Sequence, residues 1–170
     1  MVKCMKKPVI TAFFLFLGIL LTGCGSDSNP AESVTTDHPF GNNADNIQLV
    51  STAYIFSDAP DKKDLTLIYF RSNDCNWGDS LEDKTFIDPT VVSAVNLNCD
   101  FALVNTSSDT LIGFYDSLMT GNELFKLYNL VGVPSFLLLD KECKYVGRIR
   151  GYKPAEEFLS ELDYFINAVK

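Results

Sequence analysis

Cys75 is the residue in this chain best placed for covalent chemistry. It follows an apolar run, Leu65 to Phe70, and a polar tetrad, Arg71-Ser72-Asn73-Asp74, and it precedes a helix-like stretch from Asp79 to Phe86. A thiol in that position sits at a helix N-terminus, where unpaired backbone N–H groups carry partial positive charge and favour thiolate over thiol. The order strand, turn, cysteine, helix therefore predicts a reactive sulfur at an exposed sheet edge. A thiolate attacks a disulfide to give a mixed disulfide, and a second thiol must then release the product. The position three residues on, where a dithiol site carries that second sulfur, is Gly78. The neighbours pull in opposite directions: the Asp74 carboxylate disfavours an ionised sulfur, whereas the Asn73 and Asn76 amides are able to donate hydrogen bonds to it.

Other reactive or ligating groups are sparse. The five cysteines are Cys4, Cys24, Cys75, Cys99 and Cys143, and His38 is the single histidine. His38 lies in a polar segment and reads as a solvated side chain, so no Cys-His or Ser-His pair can be assembled. No two of these residues have the close spacing of a zinc site, and neither a metal nor another cofactor is expected.

Residues 1–23 read as a leader. Lys3, Lys6 and Lys7 precede an apolar run from Val9 to Leu21, about thirteen residues against the roughly 20 needed to span a bilayer. Leu21-Thr22-Gly23-Cys24 resembles a bacterial lipobox, which implies cleavage before Cys24 and a lipid on that cysteine. Cys4 leaves with the leader. Gly25, not aspartate, follows Cys24, which by analogy with bacterial sorting favours the outer over the inner membrane. Residues 24–46 are then a tether, because their Ser, Asn, Asp, Thr, Gly and Pro content cannot bury enough surface to offset ordering entropy.

Residues 47–170 hold one domain with enough Phe, Leu, Val, Ile and Tyr for a core. The chain has 14 basic and 22 acidic residues; losing the three leader lysines leaves 11 basic residues and a net charge near −11. That balance argues against nucleic acid as a partner and suits a soluble domain held near an anionic surface.

The patterning predicts alternating elements. Ile47 to Phe56 leans to helix, although its periodicity fits a strand equally. Leu65–Phe70 is a buried strand, and the helix after Cys75, apolar at Trp77, Leu81 and Phe86, ends at Asp88-Pro89 before a second helical piece through Val95. On this reading Glu82, Asp83 and Lys84 form the solvated face of that first helix. Phe101–Val104 is the next strand. Thr106 to Thr120 reads as an irregular insertion with a helical turn, and Asn122 to Asn129 as a helix. Ser135–Leu139 and Tyr145–Ile149 form a hairpin. Pro154 opens a last helix with Phe158, Leu159, Leu162, Phe165, Ile166 and Val169 on one stripe. The expected fold class is α/β, a mixed central sheet with helices on both faces and a C-terminal β-hairpin plus helix.

Taken together, Tyr69-Phe70 before Cys75, Cys75-x-x-Gly78, Thr85-Phe86-Ile87-Asp88-Pro89, Val131-Gly132-Val133-Pro134-Ser135 and Val146-Gly147-Arg148-Ile149-Arg150-Gly151-Tyr152 resemble the thioredoxin-like superfamily, nearest its periplasmic thiol–disulfide branch. The resemblance spans about Asp64 to Val169. It implies that Cys75 is the nucleophile, Trp77 the aromatic inside the motif, and Pro134 a cis-proline facing the sulfur. Val133 would then offer its backbone to an extended peptide by strand addition. Gly78 occupies the place of the resolving cysteine, so dithiol activity does not carry over. The same layout puts Cys99 and Cys143 at the far end of the sheet from Cys75, where oxidising surroundings favour a structural bridge between them and an intervening strand opposes it.

The function this implies is monothiol participation in thiol–disulfide exchange with envelope protein thiols or disulfides, on a lipoprotein held to the membrane through Cys24. The competing class is a non-catalytic module that grips an extended peptide or partner between Trp77 and Val133-Pro134.

Overall fold

A computed structural model describes residues 46–170 of the chain. The leader, Cys24, His38 and nearly all of the tether lie outside the described residues. The elements in chain order are α1 (Thr52–Ile55), β1 (Leu65–Arg71), α2 (Asn76–Lys84), α3 (Pro89–Asn98), β2 (Cys99–Asn105), β3 (Leu111–Phe114), β4 (Ser117–Thr120), α4 (Gly121–Leu127), β5 (Ser135–Asp140), β6 (Tyr145–Arg150) and α5 (Ala155–Val169).

Four strands form the main sheet in the order β2-β1-β5-β6. β1 runs parallel to β2 and antiparallel to β5, which turns back into β6. The near-continuous apolar run of β1, Leu65–Phe70 broken only by Thr66, follows from its place: it is central, buried on both faces, and needs no polar alternation. Its side chains still alternate. Leu65, Leu67 and Tyr69 face one core with Phe101, Phe136, Leu138 and Ile149, covered by α2, α3 and α5 through Leu81, Val95, Phe158 and Leu162. Ile68 and Phe70 face a second core with Ala102, Val104, Leu137 and Leu139, covered by α1 and α4 through Ile55 and Leu124. The expected mixed sheet with helices on both faces is what the chain forms.

Local chemistry fixes several boundaries. Asp88 caps α3, accepting from Thr90 N at 2.8 Å, and Pro89 occupies a first-turn position where its missing N–H costs nothing. Thr120 and Glu123 cap α4 reciprocally: the Thr120 hydroxyl accepts from Glu123 N at 3.2 Å, and the Glu123 carboxylate accepts from Thr120 N at 2.7 Å.

Two segments depart from the sequence reading. Ile47 to Phe56 is only partly helical: Leu49 bridges to Phe101, Val50 N donates to the Phe101 carbonyl at 2.8 Å, and four residues of α1 follow. The edge of β2 recruits the first half of the segment, and local periodicity carries no trace of that edge. Residues 111–120 form the β3–β4 hairpin, not an irregular insertion. Its two-residue turn, Tyr115-Asp116, places Tyr115 at φ 51°, a conformation usually signalled by Gly, Asn or Asp, so the residue that adopts it carried no mark in the sequence.

Candidate functional site

β1 and β2 are parallel neighbours, so their carboxyl ends finish side by side and their following loops meet. The Arg71 carbonyl accepts from Thr106 N at 2.8 Å and from the Thr106 hydroxyl at 2.9 Å. Asn105 Nδ2 donates to Asn73 Oδ1 at 2.6 Å. These bonds fix the loop that delivers Cys75, and they tie the Asn73 amide oxygen to Asn105.

Cys75 is the N-cap of α2, with its carbonyl accepting from Gly78 N at 2.8 Å and Asp79 N at 3.2 Å. Its side chain is half-buried, and Sγ donates to the Val133 carbonyl at 3.3 Å. The Val133–Pro134 peptide bond is cis. Gly151 N donates to the Pro134 carbonyl at 2.9 Å, which joins this loop to the end of β6 and brings Tyr152 round. The Trp77 ring lies 5.8 Å from that of Tyr152 while remaining 63 % exposed. The structure thus gathers Cys75, Trp77, Val133 and Pro134 at one end of the sheet, with exposed Val131 beside them.

The first turns of α2 are held to β1 by a group the sequence reading missed. Glu82 is not on a solvated face: it is buried, accepts from the Tyr69 hydroxyl at 2.9 Å, and pairs with Arg71 at 3.2 Å. Arg71 also reaches Asp79, at 3.6 Å. Burial drives both ionisable groups away from their charged forms: the Tyr69 hydroxyl is pushed far up, and the Glu82 carboxyl is raised, with the Tyr69 hydrogen bond and the Arg71 cation partly opposing the latter. The signal was available as spacing. Gly78, Leu81, Glu82 and Thr85 recur at i, i+3, i+4 and i+7, and all four are buried, whereas Trp77 lies off that stripe. Tyr69 and Arg71, two apart on a strand, share the face that meets it.

Gly78 is buried where a second sulfur would sit. An added Cβ there would lie 3.2 Å from the Tyr69 hydroxyl oxygen, 3.7 Å from Cys75 Cβ and 3.9 Å from Cys75 Sγ. The other thiols among the described residues are remote. Cys99 opens β2, level with Leu65 at the start of β1, and Cys143 lies in the β5–β6 turn beyond Asp140, so both occupy the opposite end of the sheet. No disulfide joins them, which corrects the bridge considered for this pair: Cys99 packs in the core on one face and Cys143 in the core on the other. Cys143 Sγ instead donates to the Ile55 carbonyl at 3.2 Å and accepts from Lys62 Nζ at 3.3 Å. Among the described residues no cluster of His, Cys, Asp or Glu has metal-binding geometry, and no helix is long and apolar enough to cross a membrane.

Comparison with known proteins places this geometry. No curated protein matches the chain. Among solved structures, a thioredoxin from Thermus thermophilus superposes with a TM-score of 0.55 at 24% identity, covering 70% of this chain and 86% of its own. A protein described as DsbH oxidoreductase gives 0.54 at 16% identity, covering 72% and 85%. A thioredoxin-fold protein from Helicobacter pylori gives 0.52 at 19%, covering 67% and 91%. A family described as thioredoxin-like domain matches residues 54–166. From β1 to α5, the chain belongs to the thioredoxin-like domain family.

Proposed function

We propose that this protein takes part in thiol–disulfide exchange through Cys75 alone, on cysteine-bearing segments of other proteins in the bacterial envelope. The observation that carries the reading is the placement of Sγ at the α2 N-terminus, 3.3 Å from the Val133 carbonyl on the cis-Pro134 loop, with which an extended substrate peptide would pair by strand addition. The fold, shared with a thioredoxin and an oxidoreductase, supports the chemical class. Cys75 attacks a substrate disulfide, the S–S bond breaks, one substrate sulfur leaves as thiolate, and the other stays bound to Cys75. Gly78 offers no thiol to close the cycle, so a thiol from the substrate or from solution releases the product. Trp77 and Tyr152 form an aromatic shelf beside the sulfur on which a substrate side chain rests. Lipidation at Cys24, with tether 25–46, would hold the domain at the membrane, outer in preference to inner.

Trapping tests the reading. Mixed disulfides captured by acid quench and alkylation from envelopes expressing wild type or Cys75→Ser should differ, with the wild-type adducts absent from the variant. Identical patterns would remove Cys75 from the mechanism. Trp77→Ala should slow adduct formation with peptide disulfides while leaving stability within about 1 kcal/mol, because the ring is mostly exposed. A second reading, a binding module without chemistry, is favoured by the exposed Trp77 and Val131 and by the missing sulfur. It predicts that Cys75→Ser retains every non-covalent partner and that Trp77→Ala loses them.

A further inference from the structure

Two of the chain's three arginines bracket the loop that carries Val133 and Pro134. Arg150, the last residue of β6, lies opposite Ser135, the residue after Pro134, and the next amide, Gly151 N, donates to the Pro134 carbonyl at 2.9 Å. Arg148 Nη1 donates to the Asn129 carbonyl at 3.3 Å, at the other end of the same loop. Two apart on a strand, the arginines share one face. Leu137, opposite Arg148, enters the core under α1 and α4, so the pair lies on that face of the sheet. Both are exposed, and β6 is an outer strand with no further strand beside it among the described residues. No carboxylate among the described residues pairs with either, whereas Arg71, the third arginine, is taken up by Asp79 and Glu82. In a chain with 22 acidic and 14 basic residues, these two cations reverse the prevailing charge at one border of the site. The other border has the opposite sign, for Asp74, next to Cys75 on the β1 side, is exposed.

We propose that Arg148 and Arg150 select the substrate: a segment whose exchanging cysteine is flanked by aspartate or glutamate in the stretch that lies along the loop 129–135. The inference rests on the exchange reading above and adds its substrate class. A segment paired with the Val133 backbone runs beside both guanidiniums. A guanidinium presents a planar fork of donors that matches a carboxylate, and the bond to Asn129 uses only part of the Arg148 fork. Exposed pairs of this kind act on encounter and orientation more than on holding, because water and salt screen them. A segment bearing lysine meets the same two cations and is turned away.

The test uses the purified full chain and single-cysteine peptides carried as mixed disulfides with thionitrobenzoate, alike except for acidic or lysine residues flanking the cysteine. Cys75 attacks the peptide sulfur, the S–S bond breaks, and thionitrobenzoate leaves as a coloured thiolate whose release reads the rate. Cys75→Ser gives the background to subtract. The ratio of acidic-peptide to lysine-peptide rate, compared between proteins, cancels the intrinsic reactivity of the peptides. Relative to wild type, that ratio should fall about threefold in Arg148→Gln and in Arg150→Gln and about tenfold in the double variant, the size expected of exposed charge pairs. Raising ionic strength from about 0.01 to about 1 M, which shortens the Debye length from about 30 to about 3 Å, should lower the wild-type ratio without any substitution. A ratio unchanged in the double variant, or indifferent to salt, overturns the inference and leaves the exchange reading standing. Release no faster than from Cys75→Ser with either peptide overturns both.

Discussion

Gly78→Cys is the change that most sharply tests whether the site keeps the frame of a dithiol centre. An introduced Cβ would lie 3.7 Å from Cys75 Cβ, inside the roughly 3.5–4.5 Å range of disulfides and close to their mean of about 3.8 Å. Closing a four-residue loop removes about 2 kcal/mol of entropy from the unfolded state on the chain-entropy account. Against this stands the Tyr69 hydroxyl oxygen, 3.2 Å from the same carbon, which must give by a few tenths of an ångström. Tyr69 is anchored by Glu82 and by ring contacts with Phe86 and Phe136, with centroids at 5.4 and 5.1 Å, so that adjustment opposes part of the gain. The net expectation is a disulfide that forms under mild oxidation and raises the melting temperature of the oxidised over the reduced variant by several degrees, up to about 8 °C. Titration of accessible thiols, intact mass and paired melts read this directly. A second consequence is catalytic: the variant should turn over a peptide disulfide with a dithiol reductant, since an internal thiol now releases the mixed disulfide. The reasoning is refuted if oxidation leaves the thiol count unchanged. It is refuted too if the bridge forms and turnover does not rise, because the Val133 loop and Trp77 would then not be arranged for exchange.

Two further outcomes follow from the buried groups. Glu82→Ala strands the Tyr69 hydroxyl and the Arg71 guanidinium and should cost about 1–3 kcal/mol by denaturant unfolding; a neutral result would deny the network any role in holding α2. Because burial raises the Glu82 carboxyl, the folded state binds its proton more tightly than the unfolded chain. Stability therefore falls as pH climbs from the ordinary carboxyl value through the raised one, and is regained on acidification; Glu82→Gln should flatten that part of the curve, and an unchanged slope would refute the assignment. Cys99 should resist alkylation in the native state near neutral pH and react once the chain unfolds, since burial lifts its thiol to about 12. Its contribution to stability is kept below the unfolded value of about 9 and lost as pH rises toward 12. Rapid native labelling of Cys99 would place that thiol outside the core.

The sequence by itself determined the central buried strand, the C-terminal hairpin and the last amphipathic helix, because each is written in local pattern: Leu65–Phe70 apolar but for Thr66, Phe158, Leu162 and Ile166 on one stripe. It also marked Cys75 and the gap at Gly78, since strand, turn and helix N-terminus are adjacent along the chain. Tertiary structure decided what depends on residues far apart in sequence. The bridge of Leu49 to Phe101 needed a vacant edge on β2. The hairpin at 111–120 hung on a left-handed Tyr115 that no propensity announces. Glu82 looked solvated beside Asp83 and Lys84, yet Tyr69 and Arg71, more than ten residues away, gave it the hydrogen bond and the counter-charge that make burial of a carboxylate tolerable. Cys99 and Cys143 ended on opposite faces because strand order and pleat, and not their count, set which core each enters. Local pattern names what a segment is; only the folded chain supplies the partners that settle what its polar groups do.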